Sequence, residues 1–322
     1  MSETRELHVV LGAGPLGLAT ARALTEMGKR VRIVNRRGTL DPVLAPAGAQ
    51  PHAADLYDPA AVAHAAAGAV ALYQCAQPSY TRWPQEFPPL QAAILEGAAR
   101  AGAKVILGDN LYMYGRTHGQ PMREDSPINP VGKKGVTRAQ MAEAALTAHK
   151  AGSVRVAIVR GSDFYGRGVM GSLFGERTFP AILAGKAGEA VGNPDLPHSI
   201  TYIDDFGRAL ANVGTADDAL GQVWHAPNAP TGTQRQFLHE AFELAGKPAK
   251  VAVMGRFMLM LGGLFIPAAR EVIETLYQFT DPFVVDDSKY TRRFGHHATA
   301  YRDGLRATLD WYAKHFAAGA HA

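Results

Sequence analysis

Residues 9–20 read Val-Val-Leu-Gly-Ala-Gly-Pro-Leu-Gly-Leu-Ala-Thr, and no other stretch constrains the fold as strongly. The apolar run Val9–Leu11 ends in Gly12, Gly14 and Gly17, and an alanine-rich helical stretch follows. Each glycine has a physical task in a strand–turn–helix of this spacing. Gly12 permits the tight turn. Gly14 has no Cβ, so a pyrophosphate can approach the backbone. Gly17 lets the helix pack closely on the strand. The helix start, with Pro15 and Leu16, offers free N–H groups and a partial positive charge to phosphates. The plain alternative is a glycine-rich turn that binds nothing.

A second strand, Val31–Val34, follows the helix and completes the context of a dinucleotide site. Its end identifies the nucleotide. A carboxylate there would bond the ribose 2′-OH of NAD, whereas an arginine suits the 2′-phosphate of NADP. The chain has Asn35, Arg36 and Arg37. A guanidinium grips phosphate through two parallel hydrogen bonds, so NADP is expected ahead of NAD. A solvated basic turn would look the same in sequence.

Short buried strands are expected at Val9–Leu11, Val31–Val34, Ala69–Tyr73, Lys104–Leu107 and Arg155–Val159. Helices are expected between them at Leu16–Met27, Pro59–Ala67, Pro88–Ala101 and Val136–Lys150. This alternation predicts an α/β fold, a Rossmann-type doubly wound parallel sheet. Asp55 and Leu56 would lie at the sheet's carboxyl edge, near an adenine, although Asp55 serves equally well as a helix N-cap. Ala76 and Gln77, after the Ala69–Tyr73 strand, complete the expected cofactor-binding set. Beyond residue 166 the pattern loosens. Gly166–Gly175 and Gly185–Pro197 are rich in glycine and proline, and Ile200–Ile203, Asp204–Val213 and Val223–Ala226 read as strand, helix and strand. The expected division is a nucleotide-binding domain of 1–166 plus about 201–226. A smaller, discontinuous C-terminal substrate domain of about 167–200 plus 227–322 would accompany it.

Composition excludes several functions. The 322 residues are 47% hydrophobic, with a net charge of +4. Basic residues are scattered, so no nucleic-acid footprint is present. Cys75 is the only cysteine and sits in an apolar run, which fits a reducing cytoplasm and an inert thiol. The charged N-terminus does not resemble a signal peptide. Phe257–Ile266 is the most apolar segment, shorter than the roughly 20 residues that span a bilayer. A buried or interfacial helix is expected there, and no membrane partner.

Four segments together resemble the extended short-chain dehydrogenase/reductase superfamily, the NAD(P)-dependent epimerase/dehydratase group. They are Gly12–Gly17, Asn110-Leu-Tyr-Met-Tyr114-Gly115, Arg160-Gly-Ser-Asp-Phe-Tyr165-Gly166 and Thr201-Tyr-Ile-Asp204-Asp205. The resemblance covers nearly the whole chain. The glycine spacing is G-x-G-x-x-G rather than the group's commoner G-x-x-G-x-x-G, and Arg167 replaces a proline. The larger departure is catalytic. The group usually carries Tyr-x-x-x-Lys, yet none of the eleven tyrosines has lysine four residues later. Aligned on the helix, Lys134 stands at the tyrosine position and Arg138 at the lysine position. Asn110 stands at the upstream serine position. The chain thus resembles an atypical member.

The resemblance implies roles for these residues. Arg138 would hold the nicotinamide ribose but is a poor proton shuttle. Lys134, beside Lys133 and in a desolvated cleft, could titrate low enough for acid–base work, or be a solvated lysine. Tyr112 could donate a proton or merely pack beneath the nicotinamide. Asn110 could orient a carbonyl or satisfy loop backbone. Tyr80, Phe164, Tyr165, His198 and Tyr202, with Trp83, would surround a small-molecule substrate, although core packing explains each equally well. A homodimer through the helices at Pro88–Ala101 and Val136–Lys150 is implied too. No nucleophile elbow, metal-ligand spacing or P-loop occurs. Two functions remain open: an NAD(P)-dependent oxidoreductase or epimerase of a small, possibly sugar-derived carbonyl or hydroxyl compound, and a non-catalytic NADP(H) sensor.

Overall fold

The computed structural model describes residues 5–255 and 273–319. The whole apolar segment Phe257–Ile266 lies outside the described residues. The chain forms two units. The first comprises Met1–Asn110, Val136–Gly161 and Phe206–Ala226; the second comprises Leu111–Gly135, Ser162–Asp205 and Pro227–Ala322.

Strands are numbered along the chain as β1 (Leu7–Leu11), β2 (Arg30–Asn35), β3 (Gln50–Ala53), β4 (Ala69–Gln74), β5 (Lys104–Asp109), β6 (Val156–Arg160), β7 (Asp163–Tyr165), β8 (Gly188–Val191), β9 (Pro197–His198), β10 (Ile200–Tyr202), β11 (Val223–His225), β12 (Gly232–Thr233) and β13 (Val251–Met254). The first unit holds a seven-stranded sheet in the order β11-β6-β5-β4-β1-β2-β3. Every pairing in it is parallel. A parallel sheet is covered on both faces, which is why β1, β5 and β6 are near-continuous apolar runs. Helices α1 (Pro15–Glu26), α2 (Pro59–Ala65), α3 (Trp83–Ala101) and α4 (Lys133–Lys150) supply the crossovers. Gly97 on α3 lies so close to α2 that a Cβ would sit 2.6 Å from Val62. No described helix is long and apolar enough to cross a membrane.

Two details of the first unit depart from expectation. Strand β3 was not expected, because Gln50-Pro-His-Ala53 is polar and contains proline. It is an edge strand, where a missing N–H is tolerated. Helix α3 begins at Trp83 rather than Pro88, although Pro88 and Pro89 lie within it. Burial of Trp83 and Phe87 offsets the local cost of those prolines.

In the second unit, β7 pairs in parallel with β10 as a separate ladder. That pairing draws residues 162–166 and 201–205 out of the nucleotide-binding unit to which the sequence assigned them. Leu111–Gly135 joins the second unit as well, where Met122 N–H donates to Val284 O at 2.8 Å. The core of this unit is aromatic: Tyr165, Phe174, Phe179, Phe237, Phe242 and Tyr312 pack together.

One titratable side chain lies inside the large sheet. His8 on β1 is buried, with Nδ1 2.9 Å from the Tyr73 hydroxyl. Burial, followed by the Lys29 cation, pushes its pKa down from 6.5 to about 4, with Glu6 partly opposing. Unfolded chains therefore bind a proton that folded chains refuse between those two values. Stability is full above the unfolded value and falls as the pH drops through the window, by roughly 3 kcal/mol at the limit. Urea midpoints are expected to fall between about pH 7 and pH 5, and His8→Gln to flatten that slope.

Candidate functional site

The glycine turn joins β1 to α1. Gly12 has a φ of +107°, a backbone conformation natural only to glycine, and its N–H donates to Val34 O at 2.8 Å. A Cβ on Gly12 would lie 2.7 Å from Ala76 N, so the loops after β1 and β4 touch here. These strands flank the point where the strand order reverses, the position at which open α/β sheets form a ligand crevice. A Cβ on Gly17 would meet Gly12 O at 2.0 Å. A Cβ on Gly14 would meet nothing within 4 Å, so its exposed side is open. Helix α1 starts with Gly14 as N-cap and Pro15 in its first turn, with neither a side-chain cap nor an acidic residue. Its first amides and the positive end of its dipole suit a phosphate. These features fit a nucleotide pyrophosphate.

At the end of β2, Asn35 is a turn-former. Its Oδ1 accepts from Arg37 N at 2.9 Å and Gly38 N at 2.8 Å, and its Nδ2 donates to Thr39 O at 2.7 Å. The turn leaves Arg36 and Arg37 exposed. Asp55 is exposed and its carboxylate accepts from Tyr57 N, while the N-cap of α2 is Asp58. Leu56 is buried, Ala76 is half-buried against Gly12, and Gln77 is exposed. Cys75, just before Ala76, faces Thr20 Oγ1 at 3.7 Å, and burial pushes its thiol up to about 12, so it stays protonated and unreactive.

Arg138 is placed differently from the expected ribose ligand. It is buried, with Nε donating to Asp109 Oδ1 at 2.7 Å and Nη2 to Gly108 O at 3.1 Å. Its guanidinium lies over the rings of Phe87 (4.4 Å) and Trp83 (5.7 Å). Asp109 accepts from Arg160 Nε as well, at 3.2 Å. Strand register sets Asp109 of β5 opposite Arg160 of β6. The cation at the family's lysine position is therefore part of a buried Arg–Asp–Arg triad. The electrostatic reason is plain: a desolvated guanidinium takes the nearest carboxylate.

Lys134 is 2% exposed and sits 3.2 Å from the Glu274 carboxylate, which also accepts Lys134 N–H at 2.6 Å. The ammonium and the carboxylate form a partly buried ion pair. Asn110 follows β5, its N–H bonded to the Asp109 carboxylate at 2.8 Å. Tyr112 is half-buried in the short 3₁₀ turn Tyr112–Tyr114.

Among the expected substrate-side residues, four are buried: Trp83 in α3, and Tyr165, His198 and Tyr202 in the second unit. Tyr165 is fully buried, ringed by Phe237, Tyr202 and Tyr301 at 4.9–6.3 Å between centroids. His198 is stacked between Phe279 and Phe283, with its ring nitrogens 3.1 Å from Gln278 O and 2.9 Å from Asp163 Oδ2. Tyr202 is buried, and burial raises its pKa well above the ordinary value. Core packing, the bland alternative at each of these positions, accounts for them. Phe164 is half-buried in β7. Tyr80 is half-buried in the first unit, edge-on to Trp83 at 5.0 Å. Asp109 and Glu274 went unrecognised in the sequence. Arg167 and Asp204, noted only within motifs, pair at 2.7 Å.

A sequence model of the NAD dependent epimerase/dehydratase family matches residues 8–225. No curated protein matches the chain. Several solved structures share its fold. The protein gox2253 superimposes with a TM-score of 0.78 at 20% identity, over 97% of this chain and 99% of the other. The dTDP-glucose 4,6-dehydratase DesIV of Streptomyces venezuelae, with NAD and TYD bound, gives 0.76 at 20% over 96% and 97%. The UDP-glucuronic acid 4-epimerase of Bacillus cereus, in complex with NAD, gives 0.76 at 18% over 97% and 98%.

Proposed function

From the premise that the chain belongs to the NAD dependent epimerase/dehydratase family, we propose that it is an NADP(H)-dependent oxidoreductase or epimerase of a small carbonyl or hydroxyl compound, with sugar derivatives as the first class to try. The carrying observation is the open Gly14 face between two glycines that admit no Cβ, with Arg36 and Arg37 exposed at the end of β2. The similar dehydratase and epimerase hold NAD. The preference for NADP rests on this chain's own arginines.

Gly12–Gly17 would hold the pyrophosphate, the Asn35 turn would present Arg36 and Arg37 to a 2′-phosphate, and Ala76 and Gln77 would border the crevice. A nicotinamide nucleotide supplies or accepts the hydride there. The chain's own task is to place an oxygen and move one proton. Asn110 can orient the oxygen, and Tyr112, two residues on, takes the proton role. Lys134 is engaged with Glu274 instead. A homodimer through α3 and α4 belongs to the same reading, and sedimentation would test it.

A second reading, a non-catalytic NADP(H)-binding sensor, is favoured by one observation: the cation at the family's lysine position is locked onto Asp109. Fluorescence titration tests what the readings share. NADPH should bind at least tenfold more tightly than NADH. The Arg36→Ala/Arg37→Ala double variant should lose roughly 30-fold in NADPH affinity, about 2 kcal/mol, with NADH little changed. Equal affinities in the native protein would remove the NADP assignment. Turnover that survives Tyr112→Phe intact would remove the proton role, and no turnover at all would favour the sensor.

A further inference from the structure

The second unit contains a small assembly that fixes Tyr112 from two sides. Glu274 reaches the start of α4 and accepts both Lys134 N–H (2.6 Å) and Lys134 Nζ (3.2 Å). The carboxylate approaches so closely that a Cβ on Gly132 would lie 2.1 Å from Glu274 Cγ. Gly135, next after Lys134, lies against the Tyr112 carbonyl: a Cβ there would sit 2.7 Å from that oxygen. Three residues beyond Glu274, the Tyr277 hydroxyl donates to the same carbonyl at 3.4 Å. Tyr277 is itself buried, with the Arg116 guanidinium over its ring at 5.9 Å and Arg116 paired to Asp281.

A carboxylate suits the position facing α4. It meets an ammonium and a helix-start N–H together, and the helix dipole favours negative charge there. Loss of that charge frees the first turn of α4, and with it the glycine wall behind Tyr112. We propose that Glu274 is a positioning residue for Tyr112, acting through Lys134 and Gly135 on one side and in concert with Tyr277 on the other. Lys134 then serves as the tie that Glu274 holds rather than as a proton carrier. The inference deepens the proposed activity and rests on Tyr112 having the proton role there. The geometry linking Glu274 to Tyr112 can nevertheless be read without turnover.

The experiment places 3-fluorotyrosine at position 112 of the full chain and records its ¹⁹F resonance. Glu274→Gln and Tyr277→Phe are each expected to shift or broaden that signal, whereas Glu243→Gln, at an exposed carboxylate, leaves it unchanged. In the unlabelled protein, Glu274→Gln should lower kcat about tenfold or more with KM and NADPH affinity within about twofold, the pattern of a misplaced group rather than lost binding. Glu274→Asp should recover part of the loss. Should Glu274→Gln fail to fold, Tyr277→Phe reads the same coupling through a milder change. A ¹⁹F resonance unmoved by both substitutions overturns the proposal. A moved resonance in a protein without turnover supports the positioning role and overturns the proposed activity instead.

Discussion

Asp109→Ala is expected to destabilise the protein by about 3–5 kcal/mol, the usual cost of leaving a buried charge without its counter-ion. Asp109, Arg138 and Arg160 are each nearly inaccessible to water, at 3–6% exposure. One carboxylate oxygen serves Arg138 at 2.7 Å and the other serves Arg160 at 3.2 Å. Removing the carboxylate leaves two guanidinium groups near each other in the interior with their shared anion gone. It also frees Asn110 N–H from its acceptor, so the residue expected to orient a substrate oxygen is disturbed as well. Asp109→Asn keeps the shape and one acceptor and should cost less than alanine. Urea unfolding of the three proteins at neutral pH checks the order: native most stable, asparagine intermediate, alanine least. An alanine variant within 1 kcal/mol of native would show that water or rearranged partners already screen the triad.

The largest effect on binding is expected from Gly17→Ala. The added methyl would sit 2.0 Å from Gly12 O, a backbone atom that cannot swing away like the end of a side chain. Either α1 retreats from β1 or the Gly12–Gly14 turn opens, and both move the amides that face a phosphate. We expect NADPH affinity to fall by about 100-fold or more, near 3 kcal/mol. Gly14→Ala is the informative contrast. No atom lies within 4 Å of its Cβ in the protein alone, so stability should hold while nucleotide affinity drops. Calorimetric titration and thermal melting of both variants separate the two effects. If Gly17→Ala binds NADPH as the native protein does, the turn is not a pyrophosphate cradle.

The glycine turn was readable in the sequence because its constraint is local. Three glycines and the strand before them sit within a few residues, and the doubly wound sheet followed from the alternation behind it. The two arginines after β2 were readable for the same reason. What escaped was long-range pairing. Asp109 finds Arg138 across 29 positions and Arg160 across 51, and Glu274 finds Lys134 across 140. Helix register placed Arg138 where the family's lysine stands, but register does not say which way a guanidinium turns. With Asp109 a strand-end away, it turns inward. Tyr165, His198 and Tyr202 looked like a ligand wall because aromatic residues in a loop-rich region have no periodicity to betray burial. Strand β3 was obscured by Pro51, which an edge tolerates and an interior strand does not.

The alternation of the chain between its two units has a consequence for how the molecule is made. The backbone passes from one unit to the other after Asn110, Gly135, Gly161, Asp205 and Ala226. Strand β11, at residues Val223–His225, is the edge of the large sheet opposite β3 and the last of its strands to be synthesised. A nascent chain therefore cannot finish its nucleotide-binding half until residues up to Ala226 have left the ribosome. No stop codon placed along the gene would release that half intact and alone.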